Sequence, residues 1–327
     1  MRVAAVQLES VVADVGENLR RCRALADEAA AAGAEWIILP EFFTTGMAFD
    51  DRLAGAALPP DGAGMQLLVD IARRHGIVAG GSFLCRDPDG HNRNAFFLVD
   101  RDGTILGRHD KDLATMWEAC YYTTGSDPGV IAGPGGVPVG AAVCWELMRT
   151  QTVHRLRDRV DLLVGGSAWW SIPEYPPKAL TRKLEAANAR TAAGVAPAMA
   201  RALGVPVVHA AHCGSIVCGV PWVPGLPYRG HFQGGAAITD AHGGVLAWRP
   251  ASAGQGIVIA DVDPRQVAPT LDVTDGYWLH PRGAVASVFW TYQRAHGRRW
   301  YERHARSRPA DARSLDELLG AREHQTA

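Results

Sequence analysis

In the stretch Pro138-Val-Gly-Ala-Ala-Val-Cys-Trp-Glu146, a short apolar run of strand character stands directly before a cysteine, and helix-like sequence follows. Val139 to Val143 are small or β-branched, as a buried strand requires, and Leu147, Thr150, Val153, His154 and Leu156 recur near helical spacing up to Arg159. A strand that hands over to a helix points to an α/β chain. At such a turn backbone N–H groups and the positive end of the helix dipole face the Cys144 sulfur, which predicts an exposed thiol with thiolate character. The same stretch is compatible with an inert buried cysteine, because free cysteine is among the most buried residue types.

The rest of the chain repeats the pattern. Arg2 to Leu8 reads as a first strand, and Asp14 caps a helix through Ala32 whose apolar face carries Leu19, Cys22, Ala26 and Ala29 before Gly33 ends it. Trp36 to Leu39 is a buried strand that stops at Pro40 and leaves Glu41 at its C-terminal end, where open α/β sheets present ligand-binding groups. Phe42, Phe43 and Met47 predict a low-dielectric setting that raises the Glu41 pKa, with a solvated loop carboxylate as the alternative. A helix over 64–75 leads to strands over 77–85, 94–99 and 104–108, the last two joined by the Arg101-Asp102-Gly103 turn. Asp110-Lys111-Asp112 follows, a charge run that by itself predicts a solvated face, and then the aromatic group from Trp117 to Tyr122.

Gly133-Pro-Gly-Gly136 precedes a strand and not a helix, so it reads as a turn and not a phosphate loop. Asp161 to Val164 is another buried strand, and Trp169 and Trp170 beyond it belong either to the core or to a pocket wall. Lys178 to Leu203 predicts a long amphipathic helix packed on a sheet through Leu180, Leu184, Ala187, Val195, Met199 and Leu203, kinked or broken at Pro197. Strands follow over 205–210, 235–239, 245–248 and 257–262. From Asp263 the chain reads as irregular until Ala284, then helical to about Arg306 with Val288, Phe289, Tyr292 and Trp300, ending in a charged tail expected to fray.

A chain of 327 residues with 47% hydrophobic content can bury one large core, and a net charge of -1 provides no field to attract nucleic acid or anionic membrane. No apolar run reaches spanning length and the first residues lack a secretory signal, so the expectation is a soluble cytoplasmic protein. The six cysteines form no C-x-x-C pair and read as reduced thiols. His209-Ala-Ala-His212-Cys213 with Cys218 could be drawn as a metal site, but it lacks structural zinc spacing, and satisfied or solvated histidines are expected.

Glu41, Lys111 and Cys144 each stand just beyond a predicted strand. The motifs Leu39-Pro-Glu41-Phe, Lys111, Glu118-x-x-x-Tyr122-x-x-Gly125 and Val143-Cys144-Trp-Glu146 together resemble the nitrilase superfamily of carbon-nitrogen hydrolases. Gly234-Gly-Ala-Ala-Ile-Thr-Asp240 with Gly244 is similar to the strand-turn-strand near the end of that family's core, so the resemblance covers residues 1–262. Residues 263–327 form an extension expected to pack on the core or on a neighbouring subunit. The resemblance implies a four-layer α-β-β-α sandwich that forms homodimers or larger homo-oligomers. It also implies Cys144 as nucleophile, Glu41 as general base, Lys111 as the cation at the oxyanion and Glu118 as a second, positioning glutamate. It implies no metal and no organic cofactor. A papain-like cysteine mechanism would need a histidine partner, for which the Glu-Lys pattern leaves little room.

Cys144-Trp145-Glu146 is similar to the nitrile-hydrolysing branch. Leu147, Thr123 and the flanks of Lys111 depart from it, which favours an amidase acting on a small carboxamide, with a nitrilase as the alternative. Tyr122, Trp145, Trp169 and Trp170 are candidate substrate-binding residues for an apolar or aromatic acyl group, or else the shell behind the triad. Acyl transfer, ammonia supply to a synthetase and a catalytically silent binding module are the readings from other classes. The chain shows no ATP-binding segment after the core, no membrane span, and all four catalytic residue types.

Overall fold

The computed structural model describes residues 1–221, 223–279 and 284–320. The strands are β1 (Arg2–Glu9), β2 (Trp36–Ile38), β3 (Val78–Arg86), β4 (Asn92–Val99), β5 (Ile105–Asp110), β6 (Val130–Ala132), β7 (Pro138–Ala141), β8 (Leu162–Ser167), β9 (Val207–Cys213), β10 (Ser215–Val220), β11 (Val223–His231), β12 (Gly234–Thr239), β13 (Val245–Pro250) and β14 (Gly256–Asp261). The helices are α1 (Val15–Ala31), α2 (Ala63–His75), α3 (Thr150–Leu156), α4 (Lys178–Leu203), α5 (Ala284–Trp300) and α6 (Leu315–Gly320). Asp14 caps α1 as expected, its carboxylate accepting from the Glu17 N–H.

The strands form a nearly closed sheet in two halves. One half runs β14-β1-β2-β3-β4-β5 and the other β13-β12-β9-β8-β7-β6. They join where the ends of β1 and β9 pair in parallel, Gln7 with Ala211 through Glu9 with Cys213. Strand alternation sorts side chains between layers. Val3, Ala5, Trp36, Ile38, Phe96 and Leu98 enter the core shared with the second half, whereas Ala4, Val6, Leu8, Ile37, Phe97 and Val99 pack beneath α1 and α2. Val153 and Leu156 of α3 and Met199 and Leu203 of α4 cover the second half. The result is an α-β-β-α sandwich with the open ends of β2, β5 and β7 close together.

Three expectations from the sequence change. Helix α4 continues through Pro197, and only its C-terminal part from Val195 is buried; Leu180 and Leu184 are exposed on its first turns. The hairpin β10–β11 has no counterpart in the sequence reading, because Gly219, Gly225 and Pro227 interrupt its strand pattern. The end of the chain does not fray as far as it is described: Leu315 and Leu318 of α6 are buried with the side chains of α1 and α2, and the Leu315 N–H donates to Gln66 Oε1 at 2.8 Å. The side chains of Val288 and Phe289 and the charged residues past Gly320 lie outside the described residues.

Candidate active site

Two segments of the site stand on strained backbone. Phe42, directly after Glu41, has φ +52°, and Cys144 has φ +54°; for residues with a Cβ this left-handed region costs about 1–3 kcal/mol and persists only where the surroundings enforce it. The close approach of those segments explains the glycine pair of β8. A Cβ on Gly165 would stand 1.8 Å from the Ala142 carbonyl oxygen, and one on Gly166 would stand 2.9 Å from the Glu41 nitrogen.

The four residues carried by the motifs converge. Lys111 continues β5, its N–H donating to the Asn94 carbonyl, and its side chain is 0% exposed; the solvated face predicted from the charge run is therefore overturned. Its Nζ donates to Glu41 Oε1 and to Glu118 Oε2, both at 2.7 Å. Glu118 lies in a 3₁₀ turn (Met116–Cys120) and its Oε2 also accepts from the Thr115 N–H at 3.0 Å. The Cys144 sulfur and one carboxylate oxygen each of Glu41 and Glu118 lie within 4.8 Å of one another. Such a donor set can hold a cation, and the ammonium of Lys111 is the cation that both carboxylates contact.

Cys144 opens a 3₁₀ turn (Cys144–Met148), not an α-helix, and is 2% exposed. The exposed, thiolate-prone cysteine expected from the sequence is thus corrected. Burial, followed by the Glu41 carboxylate, pushes the thiol well above its ordinary range, with Lys111 pulling the other way. Burial opposes the charge of Lys111, but Glu118 and Glu41 outweigh it and raise its pKa well above the usual lysine range. Burial and the neighbouring Glu41 raise Glu118 to about 7 against the pull of Lys111 and Tyr122.

Glu41 is held by residues the sequence did not single out. Asn94 Nδ2 donates to Oε1 at 2.9 Å and the Ala168 N–H to Oε2 at 2.8 Å. His212 Nε2 meets the Glu41 backbone carbonyl oxygen at 2.5 Å. The one signal for Asn94 was a polar residue directly before the apolar run of β4. His209 contacts Ser167 Oγ at 2.8 Å, so the two histidines of β9 have separate partners, and burial pushes both down to about 4.

The candidate substrate residues are all near the site and largely committed to partners within the fold. The Tyr122 hydroxyl contacts Glu118 Oε2 and the Leu113 carbonyl. Trp145, next to the thiol, packs against Trp169, Trp278 and Trp290 with ring centroids 6.2, 5.6 and 6.5 Å away. Trp169 Nε1 donates to Asn188 Oδ1, and Trp170 Nε1 to the Met47 carbonyl, both at 2.9 Å; the Trp170 ring lies 4.4 Å from Trp117. Residues beyond 262 enter this shell, since Trp290 Nε1 also donates to the Ala114 carbonyl at 3.0 Å. The carboxylate of Glu146, two residues after the thiol, is held by His109 at 3.0 Å.

Known proteins share the sequence pattern and the fold. The chain is 29% identical over 196 residues to an aliphatic nitrilase of Rhodococcus rhodochrous, covering 54% of this chain and 52% of that protein, so it spans about half the length of that relative. It is 34% identical over 112 residues to omega-amidase NIT2 of Danio rerio, 34% of this chain and 39% of the relative. Among solved structures, an amidase from Nesterenkonia sp. AN1, with acrylamide added to its active-site cysteine, superimposes with TM-score 0.62 at 20% identity, covering 81% of this chain and 94% of the amidase. Nit3 of Saccharomyces cerevisiae, a nitrilase-superfamily member, gives TM-score 0.62 at 18% identity, with 81% and 90% covered. The family model for carbon-nitrogen hydrolases matches residues 2–271. The chain belongs to the carbon-nitrogen hydrolase family of the nitrilase superfamily.

Proposed function

We propose that this chain hydrolyses a small carboxamide to the acid and ammonia through a thioester on Cys144. The observation that carries the reading is the buried Lys111 ammonium, 2.7 Å from both Glu41 and Glu118, with the Cys144 sulfur beside the two carboxylates. Because burial keeps the thiol protonated at rest, its proton leaves as the sulfur attacks, not before. The proton passes to Glu41 while the C–S bond forms, and the carbonyl oxygen becomes an oxyanion facing Lys111 and the Trp145 N–H. Glu41 returns the proton to the nitrogen as the C–N bond breaks and ammonia leaves. Water then gives a proton to Glu41 and adds to the thioester carbon; as the C–S bond breaks, Glu41 returns that proton to the sulfur, which releases the acid and restores the thiol. Glu118, held by Thr115 and Tyr122, positions Lys111. The cycle runs on these side chains without metal or organic cofactor.

The indole-rich shell of Trp145, Trp169 and Trp170 supports an apolar or aromatic acyl group, and its close packing supports a small one. In the same reading residues 1–262 are the hydrolase unit, and the exposed Leu180 and Leu184 of α4 fit a homo-oligomer. Cys144-Trp145-Glu146 and the similarity to an aliphatic nitrilase favour a second reading, hydrolysis of the corresponding nitrile. Ammonia release from amide and nitrile pairs sharing one acyl group separates the two. Faster turnover of the amides, with apolar acyl groups ahead of charged ones, is expected; turnover of nitriles alone overturns the first reading.

A further inference from the structure

Behind the triad lies a second buried ionic group that the reaction as described does not use. His109, on β5 two residues before Lys111, is 0% exposed and touches a carboxylate through each ring nitrogen: Nδ1 is 2.6 Å from Asp127 Oδ1, and Nε2 is 3.0 Å from Glu146 Oε2. Arg155 of α3 closes the group, its Nη2 3.1 Å from Glu146 Oε1 and 3.3 Å from His109 Nε2.

The two carboxylates of this group also accept from backbone N–H groups, and the residues they grip flank the catalytic ones. Glu146 Oε2 accepts from the N–H of Val143, the residue before Cys144, at 2.7 Å, and Oε1 accepts from the N–H of Asp112, the residue after Lys111, at 3.0 Å. Asp127 accepts from the N–H of Asp110, the residue before Lys111, at 2.8 Å, and from that of Gly129 at 2.8 Å. One carboxylate thus ties the nucleophile's segment to the lysine's, and a second holds the lysine from the other side. The left-handed φ of Cys144 needs such an external restraint.

We propose that Glu146, bridged by His109 to Asp127, is the positioning residue that keeps the Cys144 and Lys111 backbones in register. Burial opposes a charge on His109, but Glu146 and Asp127 raise it to about 9, and Glu146 is lowered in return by His109 and Arg155. Around neutral pH the imidazolium is the centre of the clamp, facing Asp127, Glu146 and Arg155. The proposal rests on Cys144 being the nucleophile, and the two ideas fail separately. No ammonia from any amide or nitrile offered to the native protein contradicts the nucleophile, whereas alkylation of Cys144 reports the clamp without turnover.

The test is Glu146→Gln, whose single acceptor oxygen cannot serve both N–H groups as the carboxylate does. Per thiol titrated as active, kcat is expected to fall about 10- to 100-fold, the range for a reacting group displaced by around an ångström, with KM changed less than about threefold. The pH midpoint for iodoacetamide alkylation of Cys144, located by peptide mass, is expected to rise, since Lys111 no longer sits in register to favour the thiolate. Simple removal of a nearby negative charge would lower that midpoint. A lowered or unchanged midpoint, or an unchanged kcat per titrated thiol, overturns the proposal. Should Glu146→Gln not fold, Asp127→Asn, at the half-exposed end of the clamp, is expected to move the same readouts in the same direction by about three- to tenfold. No movement there overturns the proposal equally.

Discussion

The Lys111 ammonium and Oε1 of Glu41 are 2.7 Å apart, and neither side chain is exposed to solvent. Taking both charges out of water is costly unless each is fully paired, and here the lysine has a second carboxylate, Glu118, at the same distance. The arrangement leaves two acids and one base in a closed space beside a protonated thiol, so each charge in the site depends on the others.

Removing the cation therefore affects both stability and rate. Lys111→Met leaves Glu41 and Glu118 buried without their partner and is expected to cost about 3–5 kcal/mol of stability, measured by urea unfolding. In the fraction that folds, turnover is expected to fall at least about 10²- to 10³-fold, the usual cost of losing a donor at a developing oxyanion.

Glu118, raised to about 7, gives the pH dependence its sign. Its Oε2 receives Lys111, the Thr115 N–H and the Tyr122 hydroxyl, which suits the ionised form. Activity is expected to drop about tenfold per pH unit below 7 as one proton is taken up, and Glu118→Gln is expected to remove that limb. For stability the sign is opposite. A carboxyl whose folded pKa lies above its ordinary value favours the fold below the ordinary carboxylate range, and that contribution is lost as pH rises through about 7. Unfolding of the native protein compared with Glu118→Gln between pH 5 and 8 checks this: the native protein should lose stability relative to the variant as pH rises.

The left-handed backbone at Cys144, φ +54°, gives a prediction in which stability and activity part company. Cys144→Ala and Cys144→Gly should both abolish ammonia release. The glycine variant relaxes the backbone, and is expected to be more stable than the alanine variant by about 0.5–1 kcal/mol in thermal or urea unfolding. An alanine variant of equal or greater stability would mean that the turn stores no strain.

How much of this was legible in the sequence depended on reach. Glu41 and Cys144 each end an apolar run, and that local signal placed them correctly on the fold; it left open whether the thiol is presented or, as found, only 2% exposed, because burial is imposed by segments far away in the chain. Lys111 has a local context that suggests solvent, and only the joint motif pointed to its role. The His109, Asp127 and Glu146 group was invisible, since its bonds join positions 18 and 37 residues apart and no run of residues announces them. Asn94 and His212 hold Glu41 from strands β4 and β9, 53 and 171 positions away, for the same reason. Helix α6 was missed because Leu315 and Leu318 are apolar residues in a charged stretch, and they are buried only because α1 and α2 offer them a face.

The most direct test of the account is the intact mass of the protein quenched during turnover of an accepted amide, followed by peptide mapping. The account predicts a mass increase equal to the acyl group, located on Cys144 and absent from Cys144→Ala. An acyl group on another residue, for example Cys120, or turnover that survives Cys144→Ala, would contradict it.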